Sequence, residues 1–372
     1  MKVAIMGAGI GGLTLAQGLL KAGMDVAVYE RDPSPQYRKQ GYRIHISPVG
    51  EEALAATLPD AVRRRVIATA TRPGDLVAGF DAQLNQQFEQ VFPVAGPEAV
   101  TSVDRYAFRR ALMTGLDDVL QFGKQFTSYV ETATGVEIAF ADGTSATADV
   151  LVGADGVGSR VRGQLVPSQD VFDIGVRCIY GKVPLTSDVR SAAPEAFLRG
   201  FCFASDGAGL GTAFGPVMFR ERPAEYGDYL MAVLTGTNTV LGASDEELFT
   251  MRPADLWALV ARLVGDWHPS IRALIDAGEP DAAFPITLRT CITVPTWSSS
   301  RVTMLGDAVH PMTPAAGAGA NTALWDAARL TRALTSGEDL ATYQKDVVTN
   351  GQAIVTESLH NAERLFNVAI PV

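Results

Sequence analysis

The chain has 372 residues and carries 31 Lys+Arg against 41 Asp+Glu, a formal net charge of −10; such a surface repels a polyphosphate backbone or an anionic lipid face, so nucleic acid is not an expected partner. Hydrophobic residues make up 47% and charged residues 19%, the composition of a globular protein long enough for two domains, or for one α/β body with an insertion. Three cysteines, Cys178, Cys202 and Cys291, have no CxxC spacing, which argues against a disulfide framework or a zinc site and fits a cytoplasmic setting.

Residues 3–20 are apolar enough to pass for a signal peptide or a membrane anchor. Gly7, Gly9, Gly11 and Gly12 are instead spaced for a turn, so no membrane span is expected. Residues 2–6 read as a short buried strand and residues 7–12 as a GxGxxG turn; Leu13, Ala16, Leu19 and Leu20 then recur at helical spacing up to Gly23. A second strand over 25–29 delivers Glu30, eighteen residues after Gly12. Gly7 permits the tight turn, Gly9 lets a pyrophosphate approach N–H groups at a helix start, and Gly12 lets helix and strand pack closely. An acid at the end of the second strand can accept hydrogen bonds from both ribose hydroxyls. This is a dinucleotide site, and by itself it does not separate a nicotinamide from a flavin-adenine ligand.

Residues 41–47 alternate, with Tyr42, Ile44 and Ile46 on one face and Arg43, His45 and Ser47 on the other, a polar face that either meets solvent or looks toward the cofactor. The apolar strand 149–153 runs into Asp155-Gly156, with Arg160 and Arg162 just beyond. Between 171 and 284 four strand-like stretches, 174–182, 196–203, 210–220 and 229–235, predict an antiparallel sheet. Within it Phe214, Pro216 and Met218 share one face and Tyr229, Met231 and Val233 another; plain core packing is the first reading of each, and Phe214, Pro216, Met218 and Met231 are the candidate substrate contacts. Arg177, Arg199 and Arg220 could anchor a carboxylate. Residues 248–263 read as an amphipathic helix opened near Met251-Arg252-Pro253. The strand 301–306 ends in Gly306-Asp307, and His310-Pro311, Pro314, Gly317, Gly319, Ala320 and Asn321 lead into a helix through Leu324, Ala328 and Leu330. Glycines opening a helix leave N–H groups that can stabilise a negative charge. The tail over 340–366 is helical with Gly351 as the expected break. His45, His268, His310 and His360 have no metal-ligand spacing.

Taken together, the GxGxxG turn with Glu30-Arg31, the Asp155-Gly156 motif, and Gly306-Asp307 followed by His310-Pro311, Pro314, Gly317 and Gly319 resemble a single-component (class A) FAD-dependent aromatic hydroxylase. The resemblance implies an α/β fold: a Rossmann-like FAD-binding domain (1–73, 98–170 and 285–372, with a C-terminal helix) interleaved with a mostly antiparallel β-sheet substrate domain (74–97 and 171–284). It further implies that Gly7, Gly9, Gly11, Gly12, Glu30, Arg31, Arg43, Arg105, Asp155, Gly306, Asp307, Pro314, Gly317, Gly319, Ala320 and Asn321 hold FAD. Glu30 would take the adenosine ribose, Arg105 the pyrophosphate, Asp307 the ribityl chain, and residues 314–321 the isoalloxazine. Pro314, Gly317, His45 and Arg43 are the candidate catalytic positions, with His45 positioning rather than transferring a proton, and His310 is expected to be structural.

The implied reaction uses NADPH or NADH as a transient co-substrate and O2 to hydroxylate an aromatic or polyketide-like small molecule through a flavin C4a-hydroperoxide, in a monomer or homodimer. Few charges lie near the apolar strands of the middle segment, which favours a bulky planar substrate over a small benzoate. Epoxidation or Baeyer–Villiger oxidation on the same cofactor, a flavoprotein reductase and a non-catalytic FAD-binding scaffold remain as alternatives.

Overall fold

A computed structural model describes residues 1–37, 41–93, 95–96, 98–225 and 227–370. Its first core forms around five parallel strands in the order Val302–Met304, Val150–Gly153, Lys2–Met6, Asp25–Tyr29 and Leu120–Gln121. The three central strands are buried along nearly their whole length, as a parallel sheet covered on both faces requires, which is why they read as unbroken apolar runs. The helix Ile10–Lys21 packs against the helix Gly319–Ser336, and the long helix Leu340–Phe366 adds Tyr343, Val347 and Val355 to the same core. The apolar stretch 3–20 is thus a buried strand followed by a buried helix. Among the described residues no helix is long and apolar enough to cross a membrane.

A seven-stranded sheet forms the second body, in the order Phe284–Thr290, Phe172–Pro184, Tyr229–Thr237, Gly211–Val217, Gly200–Ser205, Leu76–Asp81 and Gln86–Val91. All its pairings are antiparallel except Gly200–Ser205 with Leu76–Asp81. Side chains alternate across this sheet. Ile179, Val183, Phe214, Leu230, Ala232 and Leu234 face outward into a helix-covered core with Phe197, Trp257 and Ile271. Val176, Cys178, Val217, Tyr229, Met231 and Val233 face inward, toward Ala107, Ala315 and the C-terminal Phe366. That inner face meets the first body.

Three local expectations are corrected. Residues 196–203 were expected to be strand, yet Glu195–Arg199 is a helix and only Gly200–Ser205 is strand. Pro194 opens this turn, Glu195 and Arg199 suit its two ends, and Gly200 closes it; a short apolar run alone does not distinguish the two states. Gly351 does not break the last helix, which is continuous over Leu340–Phe366. The middle sheet continues through Phe284–Thr290, past the boundary expected at 284. The expected opening near Arg252 is present, between the helices Asp245–Thr250 and Pro253–Leu263.

Candidate active site

The strand Lys2–Met6 ends at Gly7, whose φ of +111° is a conformation that side chains resist; a Cβ there would also come 2.3 Å from the Ala154 carbonyl oxygen. A Cβ on Gly12 would come 2.1 Å from the Gly7 oxygen, so the turn closes because both positions lack a side chain. Gly9 caps the following helix with no side-chain bond, and the space a Cβ would take is open. The positive end of the helix dipole therefore meets a cleft, which suits an anion. Gly11 and Gly12 lie buried behind the turn, within the helix itself.

That cleft, about 270 Å³, runs from Gly7, Gly9, Glu30 and Arg31 past Arg105 and Asp155 to Asp307. Glu30 is 8% exposed; its Oε2 accepts the Ala8 N–H at 2.8 Å and its Oε1 the Asp32 N–H at 3.0 Å. A carboxylate has roughly four acceptor sites, so capacity toward the cleft remains. Arg109 is buried beneath the turn, where its Nε donates to the Ala8 oxygen at 2.8 Å and its guanidinium lies 3.7 Å from Glu30 Oε2. Sequence reasoning selected Arg105 and missed Arg109. The signal was present, because the two sit one turn apart on the helix Arg105–Leu112 and both line the cleft.

Asp155 lines the cleft, but its carboxylate is largely engaged by the helix Arg160–Leu165, accepting from Ser159 Oγ at 2.5 Å and from the Arg160 N–H at 2.8 Å. Arg162, to which the sequence attached no role, ties two motifs together. Its buried guanidinium donates to the oxygens of Asp307 (3.1 Å), Ala308 (3.3 Å) and Val157 (2.5 Å).

Asp307 opens onto the cleft from the turn Gly306–Ala308. The protein closing around it raises its carboxyl above the usual range by desolvation, while His310, Arg105 and Arg162 favour the anion. His310 faces away from the cleft and is fully buried. Its Nε2 lies 2.7 Å from Asp326 Oδ2, the oxygen that also accepts the Gly306 N–H at 2.7 Å. Burial opposes a charged ring there, but the Asp326 carboxylate outweighs it and raises the His310 pKa. The pair fixes the turn that presents Asp307.

Beyond this turn, Pro314–Ala316 makes one 3-10 turn, Gly317 takes the left-handed conformation at φ +61°, and the helix Gly319–Ser336 starts with no side-chain cap. Pro314 and Gly317 are exposed, and Gly319 and Ala320 half-buried. A Cβ on Gly319 would stand 4.0 Å from Asp307 Oδ1, so the uncapped helix start lies beside the residue at the inner end of the cleft. Asn321 was grouped with the cofactor contacts, but its side chain is spent within the protein: Oδ1 accepts the Ser47 N–H at 2.9 Å, and Nδ2 donates to the oxygens of His45 (3.0 Å) and Gly317 (3.2 Å). It clasps the strand Arg43–His45 to the helix start.

Arg43, offered as a cofactor contact, reaches the large sheet. Ile44 and Ile46 pack into the first core, so alternation sends Arg43 and His45 the other way. The Arg43 guanidinium carbon lies 5.9 Å from the Phe201 ring centroid, and its backbone N–H donates to Met231 Sδ at 3.3 Å. His45 remains solvent-accessible; desolvation by its surroundings and the Arg43 charge both lower its pKa. Met231 belongs to the inner face of the sheet. Phe214 does not: it stacks on Phe197 at 4.7 Å in the outer core, Met218 packs on that same core, and Pro216 shares the side of Phe214 by alternation. Of the arginines offered as carboxylate anchors, Arg177 is bound by Asp173 and Asp245, Arg199 by Asp75, and Arg220 donates to the Ala99 oxygen.

The chain belongs to the FAD binding domain family, which matches residues 1–228 and 264–358. It is 35% identical over 366 residues to the dual O-methyltransferase/FAD-dependent monooxygenase CTB3 of Cercospora beticola, covering 89% of this chain and 42% of that protein. It is 30% identical to 6-hydroxynicotinate 3-monooxygenase of Pseudomonas fluorescens, covering 90% of this chain and 82% of that one. A solved structure from Photorhabdus luminescens, assigned as an FAD containing monooxygenase, superposes with a TM-score of 0.84 at 30% identity and covers 99% of each chain. The chain spans about two fifths of the length of the first curated relatives it matches. The cleft fits the family's cofactor: an uncapped helix start for a pyrophosphate, an acid beside it, four arginines, and a second uncapped helix start next to Asp307.

Proposed function

We propose that this protein is a monooxygenase that uses FAD, NADPH or NADH, and O2 to hydroxylate an aromatic or polyketide-like small molecule. One observation carries the reading. The cofactor cleft ends at Asp307 beside the uncapped helix start, and Ala315, just before that start, packs into the apolar inner face of the large sheet. A flat ligand on that face would lie next to the inner end of the cleft.

On this reading segments 1–73, 98–170 and 285–372 hold the cofactor and 74–97 with 171–284 hold the substrate, except that the strand Phe284–Thr290 belongs with the substrate sheet. Glu30 would hold the adenosine ribose, Arg105 and the first helix start the pyrophosphate, and Asp307 the ribityl chain. When bound, FAD supplies the hydride and oxygen chemistry. The chain supplies position and field: the helix start at Gly319 favours negative charge at the inner end of the cleft, and Tyr180, Phe201, Met231 and Val233 keep the facing surface apolar. Three free, buried cysteines support a reducing, cytoplasmic setting.

The test is anaerobic mixing of the FAD-loaded protein with NADPH, then NADH, with and without a panel of phenols and quinones, following the oxidised-flavin absorbance. Faster bleaching with one aromatic supports the hydroxylase. A flavin that neither nicotinamide bleaches under any condition refutes it.

A further inference from the structure

We propose that Arg43 anchors an oxyanion of the substrate, so that the protein takes an aromatic carrying an ionised acidic oxygen, either a carboxylate or an acidic phenol. The proposal rests on the monooxygenase reading and names the substrate class of that site.

Arg43 is half-buried between the two bodies, and among the described residues its guanidinium has no hydrogen bond or ion pair; its Nε is completely enclosed without a partner. Burial lowers its pKa to about 10, so it is still a cation at neutral pH. Enclosing a cation with no counter-charge is costly, and that cost falls when an anion completes the site. The neighbouring arginines of the sheet do not share this state, since Arg177 and Arg199 are matched by carboxylates.

The surroundings are apolar and aromatic. A Cβ on Gly215 would come 2.9 Å from Arg43 Cδ, 3.3 Å from Phe201 Cδ2 and 3.5 Å from Met231 Cε; the missing side chain lets the arginine stem, an aromatic ring and a thioether converge on one spot of the inner face. The Phe201 ring steadies the guanidinium by a cation–π contact, which leaves the edge of the planar fork for a ligand. A carboxylate can take two prongs of that fork and a phenolate one.

Dissociation constants are to be read from the change in flavin absorbance of the FAD-loaded protein, without nicotinamide, for two matched pairs: 1-hydroxy-2-naphthoate with its methyl ester, and 4-nitro-1-naphthol with 1-naphthol. The expected result is that one anion binds at least about tenfold more tightly than its neutral partner, that R43Q abolishes the preference, and that R43Q keeps its FAD. The pair that shows the preference distinguishes carboxylate from phenolate. Absence of any preference in the unmodified protein, whether both members bind or neither does, overturns the proposal. So does a preference that survives in R43Q, or an R43Q protein that folds but purifies without FAD, which would return Arg43 to the cofactor. Should R43Q not fold, R43K carries the test: lysine keeps the charge but loses the planar fork and its stacking on Phe201, so the preference is expected to shrink several-fold, and an unchanged preference overturns the proposal. Because binding is read without turnover, failure of NAD(P)H to reduce the flavin sinks the monooxygenase reading and leaves this result separate.

Discussion

Gly351 lies directly against the ring of His310: a Cβ on the glycine would come 2.8 Å from His310 Cδ2 and 3.1 Å from its Cβ and Cγ. The ring cannot retreat, because its Nε2 is held by Asp326 on the other side. The last helix therefore crosses the Gly306-Asp307 turn at the one residue that leaves room for it. Gly→Ala in a helix interior ordinarily gains about 1 kcal/mol, whereas forcing a methyl into a packed core costs roughly 1–3 kcal/mol. For Gly351→Ala the second effect should win, lowering the urea midpoint and weakening FAD retention together. A stabilised variant would show that the ring can move.

The same pair makes a prediction about pH. His310 has its pKa raised in the folded protein, where burial is outweighed by Asp326. A raised folded pKa contributes stability that is complete below the unfolded value, about 6.5, and is lost as pH rises through the folded value. The stability advantage of the parent over His310→Gln should therefore shrink between pH 6 and pH 9 in urea titrations. An advantage that stays constant or grows over that range would contradict the pairing.

Cofactor retention should depend on both ends of the cleft. Glu30→Ala removes the acceptor for the Ala8 and Asp32 N–H groups, and Asp307→Ala removes the carboxylate at the inner end. Each is expected to weaken FAD binding by about tenfold or more, the worth of a hydrogen bond to a charged group. Arg109→Gln should do the same indirectly, by freeing the glycine turn that Arg109 holds through the Ala8 oxygen. The measurement is the FAD-to-protein ratio after gel filtration, and full retention in Glu30→Ala and Asp307→Ala together would refute the roles given to them.

The parallel core was legible because a strand covered on both faces must be apolar throughout, and the glycine turn because tight turns and close helix starts need glycine. What escaped the sequence were contacts between distant segments. Nothing local distinguishes Arg162, which bonds to Asp307 145 residues away, or Asn321, whose amide is consumed 276 residues away at His45. Gly351 looked like a helix break because local propensity cannot see a partner ring. The strand alternation of Arg43 was legible but its contacts with Phe201 and Met231 were not, since alternation gives the face while only the packing of Ile44 and Ile46 says what lies opposite.

The two faces of the large sheet should separate in their effects. Phe214 is fully buried in the outer core against Phe197, whereas Met231 lies on the inner face where its sulfur accepts the Arg43 N–H. Phe214→Leu removes an aromatic pair worth about 0.5–1.5 kcal/mol beyond its buried area, so it should lower the urea midpoint and leave the affinity for bound aromatics unchanged. Met231→Leu conserves volume and should cost less than about 1.5 kcal/mol in stability, yet it replaces a flexible thioether beside Arg43 with a branched side chain and should change aromatic affinity several-fold. Measuring urea midpoints and flavin-perturbation titrations on both variants tests the assignment of faces. If Phe214→Leu shifts ligand affinity while Met231→Leu does not, the substrate lies on the outer side of the sheet and the inner-face pocket is wrong.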